Sequence, residues 1–242
     1  MKYIVALLAC LCLCSGCNPW KTTKGVYKEY INPEPRLCLD VQAACTPGEL
    51  RQASVFGPVD IRLDALREGL SARDSFPGDR WFEETRGVFP WLEVLTAVDM
   101  TGDVLVQDAV NSEIPVDRLL AYGDEWKDRD TRMVVASGAD GVRVFLGTPF
   151  FRGTTLQGLL VAGFDPELMA GFSPAPDSLG IIADGAPAWL GANVADGAGS
   201  VDSSWKEMVA SGVRGRISAG TDDIAWIGRR FGNKWIVYLV SM

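Results

Sequence analysis

The segment from Arg143 to Asp165 constrains the fold more than any other part of the chain. Side chains alternate in character from Arg143 to Thr148, which is the two-residue period of a β-strand. Arg152–Thr155 has the composition of a turn, and Leu156–Phe164 is a nearly all-apolar strand of the kind that is buried on both faces. The segment therefore predicts a long antiparallel hairpin.

The two ends of this hairpin are also marked in the sequence. Pro149 has no backbone N–H to give to a sheet, so regular pairing is predicted to end there. Asp165 is followed by Pro166 and Glu167, the pattern of a helix N-cap, a first helical position and an acidic first turn. A short helix is predicted directly after the second strand.

The first half of the chain shows weaker signals of the same kind. Thr46–Leu50 resembles a helix start, and Val59–Leu70 has apolar residues on one face of a helix of about three turns. Val88–Val98 is predicted to be an aromatic-rich strand, and Asp99–Asp103 is predicted to be the turn that follows it. This turn is acidic, but it lacks the spacing of a calcium loop, so no metal site is predicted.

The same plan recurs after residue 172. Leu179–Leu190 contains a strand, an Asp184-Gly185 turn and a returning strand, and residues 224–240 form a terminal hairpin. Short helices mix with these strands without βαβ alternation. The predicted fold class is therefore α+β, with PAS-like antiparallel sheets flanked by helices in two tandem modules. The predicted modules span residues 46–172 and 173–242, after a tether and N-terminal arm at 17–45.

Residues 1–16 have the features of a targeting segment. Lys2 precedes an apolar run that is too short to span a membrane, and Leu13–Cys17 resembles a bacterial lipobox. This resemblance implies that Cys17 carries lipid, and Asn18 after it implies an outer-membrane location facing the periplasm. An ordinary secretory signal that is cleaved nearby is the alternative.

Two cysteines, Cys38 and Cys45, remain once the leader and Cys17 are set aside. An even number in an oxidising compartment predicts a disulfide between them. The alternative is a reduced pair that binds metal, but the chain lacks the further ligands that such a site needs.

Charge and composition exclude several functions. The formal net charge is −8, and loss of Lys2 with the leader makes it −9. Because nucleic acids are bound by basic surfaces, no nucleic-acid partner is predicted. The same negative charge disfavours an anionic membrane surface, so contact with the membrane is predicted through the lipid anchor alone. The chain has no histidine, which removes Ser-His-Asp catalysis and His-ligated zinc. No cofactor motif is present, so no cofactor is predicted. An enzyme would depend on paired carboxylates, and we expect none.

Three segments resemble the extracytoplasmic Cache sensor domains of bacterial receptors. They are VLTAVDMTGDVL, RVFLGTPFF and TTLQGLLVAGFDPELM, and IAWIGRRFGNKWIVYLV resembles the closing hairpin of a second module in a double Cache domain. The resemblance covers roughly residues 88–242 and implies PAS-like sheets with a ligand pocket. Receptors of this family also have transmembrane helices and a signalling output; the sequence predicts neither here, so signal transduction by this chain alone is not expected.

The resemblance also points to ligand-binding residues. Asp165 lies where the family has an aspartate that binds a ligand ammonium group, and Trp126, with Tyr122 or Phe150, is placed to wall the pocket. Asp124 replaces the arginine that the family uses for a carboxylate, and Arg132 is the candidate substitute. Amino-acid recognition is therefore not carried over to this chain.

Each of these residues also has a structural explanation. Asp165 can serve as an N-cap, Trp126 can cover an edge of the core, and Arg132 can pair with the acids at positions 124, 125, 128 or 130. The favoured hypothesis is a lipid-anchored periplasmic sensory module that binds a small molecule in a hollow between the first sheet and the Trp126 loop. The alternative is an envelope protein that docks a protein partner, with this hollow filled by side chains.

Overall fold

The computed structural model describes residues 46–106, 114–138, 141–198, 205, 209–210, 212–219, 222–232 and 234–242. These residues all belong to one compact unit of the chain. The predicted leader, the lipidation site at Cys17 and the Cys38–Cys45 disulfide lie outside the described residues.

The first sheet has five antiparallel strands, and the predicted hairpin forms its centre. The strands are β1 (Val94–Asp99), β2 (Val104–Val106), β3 (Arg132–Gly138), β4 (Gly141–Arg152) and β5 (Thr155–Phe164). Their order across the sheet is β2-β1-β5-β4-β3. The hairpin turn places Gly153 at a φ of 63°, a backbone conformation that glycine adopts without strain.

The second sheet repeats this plan later in the chain. Its strands are β6 (Leu179–Ala183), β7 (Ala186–Leu190), β8 (Arg214–Ala219), β9 (Asp222–Phe231) and β10 (Lys234–Ser241). They lie in the order β7-β6-β10-β9-β8, which is the order of the first sheet applied to the second set of strands. The predicted α+β class with two PAS-like sheets is confirmed. The predicted module limits, 172 and 173, fall between the two sheets.

Two predicted strand limits were wrong. Pro149 lies inside β4, paired with Leu159, although β3 reaches only as far as Gly147. Beyond Gly147 the edge of β4 meets Arg73, whose amide donates to the Pro149 carbonyl and whose carbonyl accepts from the Phe151 amide. At that edge no strand needs the missing N–H of the proline. The strand predicted from Val88 begins only at Val94.

The helices are α1 (Pro47–Gly69), α2 (Asp79–Val88), α3 (Val116–Leu120), α4 (Pro166–Ala170) and α5 (Ala192–Ala198). The sequence predicted two helical segments where α1 is one helix of 23 residues with Pro58 inside it. It begins with a capping box: the Thr46 side chain accepts a hydrogen bond from the Glu49 amide, and the Glu49 side chain accepts one from the Thr46 amide. Among the described helices, none has the length and apolar character needed to span a membrane.

Helix α1 is joined to the second sheet by buried charges. Asp60, on α1, is buried, and its carboxylate lies 3.3 Å from Nε of Arg229 on β9. Nη2 of Arg229 lies 3.0 Å from the carboxylate of Asp64. One turn before Asp60, Phe56 stacks on Tyr238 with ring centres 5.2 Å apart. Burial raises the pKa of Asp60, and the nearby Arg229 offsets part of that rise.

Candidate functional site

The first sheet contains the residues that the sequence predicted as a site. Asp165 follows β5, and its Oδ1 accepts a hydrogen bond of 2.8 Å from the Glu167 amide, so the predicted N-cap of α4 is confirmed. Its Oδ2 lies 3.5 Å from Nη1 of Arg143 at the start of β4. The carboxylate is therefore engaged by the chain's own groups on both oxygens.

Trp126 fills the place where the sequence predicted a hollow. Its side chain is fully buried, and its Nε1 donates a hydrogen bond of 3.2 Å to the Leu119 carbonyl. A Cβ atom added to Gly147 of β4 would lie 3.0 Å from both Trp126 and Leu119, so the indole rests directly on the strand. The indole therefore occupies the space between its own loop and this part of β4.

The rest of this face is packed with apolar side chains. Phe145 lies over Gly163, where an added Cβ would come 2.8 Å from its ring. The buried cluster around it consists of Val94, Val98, Leu119, Trp126, Val134, Phe145, Leu159 and Val161. These side chains form the core on this face of the first sheet.

Tyr122 and Arg132 brace the segment that holds Trp126. The Tyr122 ring meets Trp126 edge to face at 5.5 Å, and its hydroxyl donates to the Met133 carbonyl at 3.0 Å. Burial raises the pKa of this phenol. Nη2 of Arg132, which is 5% exposed, donates at 3.1 Å to both the Glu125 carbonyl and the Asp128 carboxylate. Both side chains tie the loop to β3.

The five predicted residues do not form one site. Trp126, Tyr122 and Arg132 lie together, but Asp165 pairs with Arg143, four residues from Gly147 along β4, which is about 13 Å of strand. Phe150 is three residues from Gly147 along β4, so its side chain points to the opposite face of the sheet. There it packs on Phe76, with ring centres 5.4 Å apart. Ligand binding by these residues stays a prediction, and the contacts seen for each of them are structural.

The second sheet has a pocket on its corresponding face. Its volume is about 300 Å³, at the small end of the range for ligand sites. Ile182 of β6 and Val237 of β10 form its floor, and the helical residues Trp205, Val209 and Ala210 form its opposite wall. Gly228 of β9 leaves room beside it, because an added Cβ would meet both Trp235 and Val209 at 3.2–3.3 Å.

One ion pair supplies the charges of this pocket. Nζ of Lys234 lies 2.8 Å from Oδ1 and 3.0 Å from Oδ2 of Asp184, so it bridges both carboxylate oxygens. Both side chains are a little more than one quarter exposed, at 29% and 28%. They therefore line the mouth of the pocket rather than its floor.

Local sequence explains how this pair is positioned. Asp184 and Gly185 form the two-residue turn between β6 and β7, both with positive φ (53° and 79°), as a type I′ hairpin turn requires. Lys234 begins β10 and pairs with Phe231 of β9, and β10 pairs with β6 from Ile236↔Ala183 onward. The sheet register therefore brings together two residues that are 50 positions apart.

Sequence reasoning identified the Asp184-Gly185 turn but not the pocket beside it. The available signals were the repeat of the first module's plan and the tryptophans at 205 and 235. Within the described ranges, no group of three or more Cys, Asp or Glu side chains is placed to hold a metal ion. The site offers an aromatic and aliphatic cavity with one charged pair.

No protein-family profile matches the chain, and no curated protein matches it. Solved structures with a similar fold do exist. An extracellular ligand-binding receptor of Desulfohalobium retbaense aligns at 16% identity and a TM-score of 0.47, over 78% of this chain and 38% of the receptor structure. The ligand-binding domain of a Pseudomonas aeruginosa amino-acid chemoreceptor, in complex with GABA, aligns at 14% identity and a TM-score of 0.46, over 80% of this chain and 96% of that one.

A third structure is the ligand-binding domain of a Campylobacter jejuni chemoreceptor in complex with L-norvaline. It aligns at 12% identity and a TM-score of 0.42, over 80% of this chain and 91% of that one. These structures are of the sensor-domain class that the sequence resemblance predicted. The chain spans 38% of the length of the Desulfohalobium structure.

Proposed function

We propose that this chain is a sensory module outside the cytoplasm that binds a small molecule in the pocket of its second sheet and catalyses no reaction. The observation that carries the proposal is the cavity of about 300 Å³ with aromatic walls and the Lys234–Asp184 pair at its mouth. A concave, largely apolar space with a few convergent polar groups is the usual form of a ligand site.

The first sheet has a different part in this proposal. Its inner face is filled by Trp126 and Phe145, so it serves as the scaffold that supports the second sheet. Gly232, in the β9–β10 turn, approaches the carbonyl of Thr131, the residue before β3, and an added Cβ would clash with it. The turn that precedes Lys234 is thereby packed against the start of β3.

Location belongs to the proposal as well. The lipobox-like segment supports lipidation at Cys17, attachment to the outer membrane and exposure to the periplasm, with a disulfide between Cys38 and Cys45. Mass spectrometry of the membrane-extracted protein tests these features. A diacylglyceryl adduct on Cys17 is the expected result, and a free N-terminus further along the chain would contradict it.

A thermal-shift screen with a metabolite panel tests the binding function. A ligand that binds only the folded chain raises its melting temperature. Ala210 is exposed and lines the pocket, so Ala210→Trp should cover the mouth and abolish the shift without disturbing the core. Val213→Trp is the matched control, since Val213 is 41% exposed and does not line the pocket. A ligand whose shift survives Ala210→Trp would place binding elsewhere.

A docking module without a small ligand is the second candidate. The filled inner face of the first sheet favours it, because that face resembles a structural core rather than a receptor site. Crosslinking in intact envelopes followed by affinity capture tests this function. Capture of one defined protein, together with an empty metabolite screen, would favour docking over ligand binding.

A further inference from the structure

The chemistry of the second-sheet pocket narrows the class of ligand that it suits. We infer that the pocket takes a compact, uncharged, flat molecule that carries a hydrogen-bond acceptor next to a donor, bound while the Lys234–Asp184 pair stays closed. This inference rests on the proposed function and gives the ligand class for the same site.

The walls select the body of the ligand. Trp205, which is 3% exposed, and Trp235, which lies beside Gly228, both line the cavity. The remaining wall is aliphatic, from Ile182, Val209 and Val237. Aromatic side chains favour a flat apolar ring stacked or set edge-on against them.

The described lining residues favour a ligand with few polar groups over a sugar or a nucleotide. Lys234 and Asp184 are the only charged or hydrogen-bonding side chains among the described residues that line the pocket, apart from the indole N–H groups. A ligand with many hydroxyl or phosphate groups would bury several of them without partners. Each buried polar group without a partner costs about 1–3 kcal/mol.

The ion pair disfavours a ligand with one net charge. Nζ of Lys234 bridges both oxygens of Asp184 at 2.8 and 3.0 Å, so the positive and negative charges lie side by side. An anion that approaches the ammonium group also approaches the carboxylate, and a cation meets the reverse arrangement. Attraction and repulsion then largely cancel, while the ligand still loses its hydration.

A neutral ligand can use the pair without opening it. The ammonium group has three N–H donors, of which the two carboxylate contacts occupy two, so one remains. The carboxylate has about four acceptor positions and uses two of them with Lys234. A ligand carbonyl that accepts a hydrogen bond from Nζ of Lys234 would use the remaining donor, and an adjacent ligand N–H could donate to a remaining acceptor position of Asp184. Hydrogen bonds to ionised groups are roughly twice as strong as neutral ones.

A matched set of single-ring probes tests this inference by calorimetric titration of the full chain. Benzamide carries the neutral acceptor and donor, benzoate the anion, benzylamine the cation, phenylglycine the zwitterion, and toluene no polar group. Benzamide is expected to bind at least fivefold more tightly than each of the other four. Tighter or equal binding of any of them would overturn the proposed ligand class while leaving the pocket as a site.

Two variants locate the hydrogen bonds. Asp184→Asn keeps a residue that tolerates the positive φ of the turn, and Lys234→Gln keeps a side chain of similar reach. Each should weaken benzamide about tenfold, the effect expected from losing one hydrogen bond to a charged group, and should leave toluene unchanged. Unchanged benzamide affinity in both variants, with unchanged melting temperatures, would overturn the role of the pair. Failure of all five probes to bind would contradict the proposed function of this pocket itself.

Discussion

The indole of Trp126 rests on the backbone of Gly147, so close that a Cβ at position 147 would lie 3.0 Å from it. Gly147→Ala should therefore push Trp126 and Leu119 away from β4, and overpacking of this kind destabilises a core by about 1–3 kcal/mol. Urea denaturation measures the change. Gly138→Ala is the control, since nothing lies within 4 Å of the Cβ that it adds. Equal stability of the two variants would show that the indole is free to move.

Removal of the indole should have a larger effect. Trp126→Ala leaves a cavity beneath Leu119 and removes the edge-to-face partner of Tyr122. We expect the free energy of unfolding to fall by about 3–5 kcal/mol, as for other buried aromatic residues. Trp126→Phe should lose less because part of the volume remains. A loss below about 1 kcal/mol for the alanine variant would contradict the role of Trp126 as the centre of this core.

Asp60 should make stability depend on pH. Its pKa is raised from the ordinary 3.8, chiefly by burial, so the folded chain holds this proton more tightly than the unfolded chain does. Its contribution is therefore present below the unfolded value and is lost as the pH rises through the folded value. We expect the wild type to lose stability relative to Asp60→Asn as the pH rises from about 3.8, in urea melts of both proteins. A difference that stays constant with pH would contradict this account.

The capping box of α1 should contribute to the stability of this helix, which packs on the second sheet. Thr46→Ala removes the oxygen that accepts from the Glu49 amide, and loss of such a cap costs about 1 kcal/mol. Glu49→Gln is the matched variant, because glutamine can still accept from the Thr46 amide. It should lose clearly less stability in the same melts. The reverse order would show that the ion pair of Glu49 with Arg214 matters more than the cap.

The sequence predicted those parts of the fold that local pattern determines. Alternation and apolar runs identified the β4–β5 hairpin, the Asp165 cap and the repeated strand plan. The sequence predicted two separate helical segments, at Thr46–Leu50 and Val59–Leu70, but the structure joins them in α1, which continues through Pro58. A proline interrupts local hydrogen bonding, yet packing on the second sheet through Phe56 and Asp60 on either side of it holds the helix together.

The candidate site was beyond local pattern. Whether Trp126 walls a hollow or fills it depends on how closely its side chain approaches β4. Gly147 allows the close approach because it has no side chain, but the residues next to Trp126 in the sequence do not indicate this contact. The Lys234–Asp184 pair depends on the register between β6 and β10. A resemblance to sensor domains placed the expected site on the first sheet, whereas the site that we propose lies on the second.

The most direct test of the central claim is a two-dimensional NMR spectrum of the indole N–H groups during titration with benzamide, with each signal assigned from its Trp→Phe variant. If the second-sheet pocket is the binding site, the signals of Trp205 and Trp235 will shift with a common saturation curve. The signal of Trp126 will stay in place, since its N–H is bound to the Leu119 carbonyl in a closed core. A shift of Trp126 with none at Trp205 and Trp235 would contradict the account.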